Sequence, residues 1–365
     1  MKKTILFMLM LSMLLFCACS GGAQKNAVTE EPVQTPAETE APSSEPTAEP
    51  TPEPTPEPTP EPIRSPLTGE IIESEYNTRP FAVMLNNISV ALPQCSVAEA
   101  DIMYEILAEG GITRFMAIFP GMENVGALGS MRSLRPYYLS AALSYDAIVV
   151  HAGGSDQAYS DVSSKGADNI DGVRGYYGGE IFYRDPNRMS AGYEHSLFTT
   201  GDLVTQAVGM LGYRTELKSG FDFGLRFTED PAPVSWSAAG EIVVDFGFKT
   251  STFTYDSAAD SYTMVQYGQQ FIDGNTGEAV PFANVIVISA DTVTLDDYGR
   301  LGVTLTGSGS GHLYRNGKTA DISWSRSAEG EPFVYNLSDG STAELGVGRT
   351  FICVIPSGSG TVTVS

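Results

Sequence analysis

RPYYLSAALSYDAIVVHAGGSDQAYSDVSSK, Arg135 to Lys165, is the stretch that decides the fold class. Pro136 suits a first helical position, where its missing N–H costs nothing and its φ is already helical. PYYLSAALS therefore reads as a helix ending at Ser144. AIVVHA, from Ala147, is apolar and β-branched and reads as a strand; Gly153 and Gly154 then turn the chain, and Ser155 can cap a second helix, DQAYSDVSSK. Helix, strand and helix in this order predict a parallel crossover, with its functional edge at the C-terminal ends of the strands.

Upstream, RPFAVMLNN (Arg79 to Asn87) and ITRFMAIFP (Ile112 to Pro120) read as strands. Between them, SVAEADIMYEILAEGG predicts a helix: Ser96 and Glu99 form a capping box, Val97, Ala100, Ile102, Met103 and Leu107 recur at near-helical spacing, and a Gly-Gly pair follows. A helix that passes into a strand near Ile102 is the alternative. Downstream of about Asp222, runs such as VVDFGFKTSTFTYD, ANVIVISADTV and RTFICVIPSG are short, β-branched and separated by Gly, Asn and Asp signals. The expected fold is layered α/β (α+β): a mixed sheet with flanking helices over 63–221, then a β-rich domain over 222–365.

The first 62 residues are of another kind. Lys2 and Lys3, an uncharged apolar run from Ile5 to Phe16, and small residues around a cysteine make a secretory signal too short to span a bilayer stably. Its end, Phe16-Cys17-Ala18-Cys19, resembles a bacterial lipobox, with Phe16 where leucine is usual. Cleavage after residue 18 would leave Cys19 to carry a diacylglyceryl group and its palmitate-type chains, and two chains suffice for stable anchoring. An ordinary cleaved signal is the alternative. Residues 19–62 read as a spacer: Thr29 to Pro62 holds 11 prolines and nine glutamates, without a basic or aromatic residue. Such a chain cannot bury enough apolar surface to order itself, and at about 3.1 Å per residue its extended form reaches roughly 100 Å.

The chain carries formal charge −23. The part after residue 62 keeps 35 acidic against 18 basic residues, or −17. A nucleic-acid ligand is disfavoured, since neutralising phosphates needs a basic footprint. Cys95 and Cys353 have no C-x-x-C spacing, which excludes a cysteine zinc site and favours two buried thiols over one disulfide. No nucleotide or calcium motif is present, and no cofactor or metal is expected.

Against that acidic background, Arg132 and Arg135 stand at the start of one expected helix, and His151, the Gly-Gly pair and Ser155 at the start of the next. Helix N-termini offer unpaired N–H groups, and arginine offers a planar cationic fork for carboxylate or phosphate. The ligand expected there is an anion; the competing reading pairs each arginine with Asp101, Glu105 or Glu109. Loop-like segments add Asp168, Asp171, Arg174, Arg184, Asp185, Arg188 and His195. Among these, His151, His195 and Asp185 are candidate acid and base groups, and Arg184 a further ligand contact.

The motifs GSMRSLRP, HAGGS and YRD, with DGNTGEAVPF and RTFICVIP later, make the chain resemble the YerB-like lipoproteins, a bacterial family without an assigned activity. The resemblance implies a lipid-anchored extracytoplasmic protein with an α/β N-terminal part and a β-rich C-terminal part. The family's G-x-x-R-S-x-R-P falls on Arg132 and Arg135, its H-x-G-G-S on His151 to Ser155, and its Y-R-D on Tyr183 to Asp185. Ile88 and Leu92 stand where relatives commonly have histidine and arginine. Three functions are open: a module on the extracytoplasmic face of the membrane that binds an anionic cell-wall fragment, a scaffold for another envelope protein, or a hydrolase or transferase acting on wall material.

Overall fold

The apolar runs FAVMLNN, IMYEIL and TRFMAIF become three neighbouring strands, β1 (Phe81–Asn87), β2 (Ile102–Leu107) and β3 (Thr113–Phe119). The computed structural model describes residues 61–177 and 180–365. The signal segment, Cys19 and nearly all of the spacer lie outside the described residues.

Helix α1 (Pro136–Leu143) has Pro136 in its first turn, and β4 (Ile148–His151) follows it. Next come α2 (Asp156–Lys165), capped by Ser155, and β5 (Asn169–Asp171). Strands β1, β4 and β5 pair in parallel, as the opening stretch predicts, while β3 runs antiparallel to both β1 and β2. A third helix, α3 (Gly201–Leu211), is absent from the sequence reading, although Thr200 caps its start and Gly212, at φ 67°, its end.

The C-terminal half supplies β6 (Glu241–Asp245), β7 (Thr250–Asp256), β8 (Ser261–Gln266), β9 (Asn284–Ala290), β10 (Gly307–Arg315), β11 (Lys318–Arg326), β12 (Thr350–Pro356) and β13 (Thr361–Val364). One eleven-stranded sheet runs in the order Ser237–Ala238, β11, β10, β9, β12, β2, β3, β1, β4, β5, with Val334–Leu337 against β11. Strand β12 enters between β9 and β2, parallel to both, so the two halves share this sheet. A second sheet orders Gln269–Gln270, β8, β7, β6 and β13.

The large sheet is covered on both faces. Val83, Leu85, Met103 and Phe115 pack with Ile242, Phe253 and Met264 of the second sheet and with Val204 and Val208 of α3. Ala82, Met84, Tyr104 and Met116 pack on the other face with Tyr138 and Leu139 of α1 and Ala158 of α2. The observed architecture is the expected layered α/β fold with a β-rich C-terminal region.

Double coverage also corrects the expected helix over Ser96–Gly111. Ser96 has φ 61°, outside the extended region an N-cap uses, and its hydroxyl donates to the Ala127 carbonyl at 3.1 Å. Every residue of β2 is buried, including Glu105. A strand with two apolar faces loses its alternation, and its near-continuous run imitates a buried helix.

Candidate functional site

Arginines converge at the turn that joins β2 to β3. Gly110 and Gly111, at φ 73° and 72°, fold that turn back in a conformation side-chain-bearing residues avoid. The turn projects Glu109 toward Arg114 on β3 and toward Arg135, the residue before α1. Glu109 accepts from Arg114 at 3.1 Å and from Arg135 Nη2 at 3.0 Å, while Arg135 Nε meets its other oxygen. Burial pushes the Glu109 carboxyl up, but the Arg135 hydrogen bond and the two cationic charges outweigh it and hold the group below its ordinary range.

Arg132 lies on the same side without a carboxylate within ion-pair distance among the described residues. Its Nη1 donates to the Glu194 carbonyl at 3.3 Å, and its buried Nε has no hydrogen-bond partner. Burial first, and then the charges of Arg114 and Arg135, lower its pKa against the pull of Glu194. Arg114 and Arg135 thus share one half-buried carboxylate, while the acidic group facing Arg132 is the exposed Glu194. Beside them Glu109, Arg135, Tyr298 and Arg300 line a surface groove of about 370 Å³.

His195 borders this region. Its Nδ1 lies 2.8 Å from Asn86 Nδ2, which can only donate, so the proton of the neutral ring sits on Nε2, 3.6 Å from Glu194 Oε1. Burial, and then the Arg132 charge, lower the His195 pKa against the pull of Glu194. Asn86 Oδ1, Gln94 Oε1 and Ser130 Oγ are buried nearby on the connected backbone without partners: Gln94 Nε2 donates to the Asn86 carbonyl at 2.7 Å, and the Asn86 N–H to that of Ser130 at 2.9 Å.

The remaining sequence candidates hold the fold together. His151 is fully buried; its Nδ1 donates to the Gly153 carbonyl at 2.8 Å and Nε2 lies 3.1 Å from Asn169 Oδ1. The Ser155 hydroxyl accepts from Ala158 N–H as the cap of α2. Asp171 accepts from the backbone of Gly153, Val173 and Arg174 and from Tyr159 Oη at 2.7 to 3.2 Å, which pins the turn after β4. Asp168 pairs with Arg79 at 2.5 Å, and Arg174 stacks 3.6 Å above the Tyr159 ring. Arg184 donates to the Tyr193 carbonyl at 2.6 Å and stacks on that ring, Asp185 accepts from Asn187 N–H at 2.9 Å, and Arg188 donates to the carbonyls of Ala91, Leu92 and Pro93.

The structure therefore groups Arg132, Arg135 and His195 with Arg114 and Glu109, and leaves His151 and Ser155 inside the crossover. The sequence reading missed Arg114, which appears there only as a strand residue. Its one signal is a charge inside an otherwise apolar run. Cys95 and Cys353 are buried free thiols. Among the described residues no His, Cys, Asp and Glu cluster suits a metal ion, and no helix is long and apolar enough to cross a membrane.

Comparison with known proteins gives one consistent result. The chain is 31% identical to "Putative lipoprotein YerB" of Bacillus subtilis over 295 residues, 80% of this chain and 85% of that one. The crystal structure of the YerB protein from the same organism superposes with a TM-score of 0.72 at 28% identity, covering 82% of this chain and 99% of that one. Residues 67–214 match the N-terminal domain, and residues 242–352 the C-terminal domain, of "Protein of unknown function (DUF3048)". The chain belongs to this family.

Proposed function

We propose that the protein is a lipoprotein held at Cys19 on the extracytoplasmic face of the cell membrane, and that its folded part binds an anionic envelope ligand, a wall-peptide carboxylate or a polymer phosphate. The arginine corner carries this reading: Arg114 and Arg135 share one half-buried carboxylate and Arg132 beside them makes no ion pair among the described residues, so the site keeps excess positive charge in an acidic chain. The charged n-region, short apolar run and cysteine of the first 19 residues support the anchor, as does the lipoprotein name of the Bacillus subtilis relative.

The test is calorimetric titration of the protein with inorganic phosphate, muropeptides and teichoic-acid fragments, beside Arg132→Ala. One charge-assisted hydrogen bond contributes roughly 1.5–3 kcal/mol, so the variant should bind about 10- to 100-fold more weakly. No heat from any of these ligands, or equal binding by the variant, would reject the anion site.

A second reading has its own observation. Phe248, 81% exposed, borders a groove of about 440 Å³ with Gly110, Gly111, Val293 and Leu301, a surface suited to an apolar protein partner. Phe248→Ser would abolish partner capture without changing anion binding.

A further inference from the structure

Between the two sheets, a lysine, an asparagine and a glutamate meet in a closed apolar chamber. Glu105 of β2 is fully buried, as is Asn87 at the end of β1; Lys249, in the turn from β6 to β7, is 5% exposed. Asn87 Nδ2 donates to Glu105 Oε1 at 3.0 Å, and Lys249 Nζ donates to the same oxygen. Thr113 and Ser251 complete the shell of the carboxylate, at 2.6 and 2.8 Å. The rings of Phe115, Phe246 and Tyr267 surround Nζ, with centroids 5.5 to 5.9 Å away, and Tyr267 Oη donates to the Asn87 carbonyl at 2.9 Å. Gln94 Nε2 donates to Asn87 Oδ1 at 3.2 Å.

We propose that Lys249 and Asn87 join in an intramolecular isopeptide bond, formed by the chain itself with Glu105 as the proton carrier. The roles follow from the contacts. A lysine sealed from water loses its preference for the charged form, and burial lowers the Lys249 pKa although Glu105 opposes this. Proton transfer from Nζ to the Glu105 carboxylate leaves a free amine and a carboxylic acid. The amine attacks Asn87 Cγ; the Gln94 N–H stabilises the negative charge that develops on Oδ1, as an oxyanion donor does. Glu105 already touches Nδ2, the leaving nitrogen, and delivers its proton there. The Cγ–Nδ2 bond breaks; one of the two protons left on Nζ departs with the nitrogen as ammonium, and the other stays as the N–H of the new amide. One ammonium and one primary amide become one secondary amide and one ammonium ion, with the Glu105 carboxylate regenerated. No oxidant or cofactor enters.

The product would tie β1 of the large sheet to the β6–β7 turn of the second sheet. Trypsin cannot cleave at an acylated lysine, so a digest of the full chain read by mass spectrometry is decisive. The expected result is a branched peptide joining the Asn87 and Lys249 segments, lighter by one ammonia than the two peptides together, and absent from Lys249→Met, Asn87→Ala and Glu105→Gln. Recovery of the two wild-type segments as separate peptides, with cleavage after Lys249, would overturn the proposal even if every variant failed to fold. A loss of ammonia that persists in Lys249→Met would also overturn it, because a cyclised asparagine elsewhere would then be its source.

Discussion

Two clusters of cationic groups near the C-terminal end of β2 are treated in opposite ways. Around Glu105, one lysine meets one carboxylate, and Asn87, Thr113 and Ser251 satisfy the remaining oxygen positions. At the β2–β3 turn, Arg114 and Arg135 meet one carboxylate, Arg132 stands beside them without an ion pair among the described residues, and Arg114 and Arg132 each keep a buried Nε without a partner. Glu105 lies in β2 and Glu109 in the turn that follows it, four residues further on. The first is closed and internally complete; the second is short of negative charge and borders solvent. An external anion of the kind proposed would balance the second.

Removing the closed cluster's carboxylate is the most damaging change expected. Glu105→Ala leaves the Lys249 charge without a partner inside the protein and should cost about 3–5 kcal/mol. Adding Lys249→Met should restore the part of that loss due to the uncompensated charge. Denaturant midpoints of the single and double variants check both. A single variant that unfolds at the wild-type midpoint would place Lys249 in contact with water and break the contrast.

Little of this contrast was visible in the linear chain. The crossover from α1 to β5 was legible because capping and turn residues act locally: Pro136, Gly153 and Ser155 each sit where the sequence places them. Strand β2 was not, because its burial depends on β12, contributed from residues 350–356, and on the second sheet above it. The arginine pair Arg132 and Arg135 stood out by contrast with an acidic chain, but their proximity to Arg114 and the shared use of Glu109 arise from a turn and a strand pairing. Lys249 lies in the run VVDFGFKTSTFTYD, where nothing in the linear chain marks it as buried. Glu105, a lone charge within IMYEIL, was the available hint of a buried partner.

Asp101, just before β2, sharpens the comparison from the other side. Burial, reinforced by Glu70 and opposed by Arg349, pushes its carboxyl up to about 7. A folded pKa above the unfolded value means that the native state holds its proton more tightly. The group's contribution is therefore fully present below about pH 4 and is lost as pH rises through about 7. Asp101→Asn keeps the shape and removes the titration. The variant should gain about 1–2 kcal/mol over wild type at pH 8, after allowance for partial exposure, and match it near pH 4. Chemical denaturation at the two pH values measures the difference. Equal gains at both would mean that the carboxyl is ionised throughout and that buried acids here do not need a cation.

The smallest stability change belongs to Arg132→Ala, which removes one long hydrogen bond and relieves repulsion from Arg114 and Arg135; the net should fall within about 0.5 kcal/mol of zero. Its informative effect is on His195. Burial and the Arg132 charge lower that ring's pKa, so the unfolded chain takes up the proton first as pH falls. The associated stability is complete above the unfolded value near 6.5 and is lost below it, down to the folded pKa. Without Arg132 the folded pKa should rise toward 6.5, and the acid-side loss should shrink. Following the His195 ring resonances by NMR across pH 4 to 8 reads this directly. An upward shift would establish that the excess charge at the corner acts across the site proposed for the anion. An unchanged titration would mean that the Arg132 charge is already neutralised, which would remove the reason the corner has to bind anything.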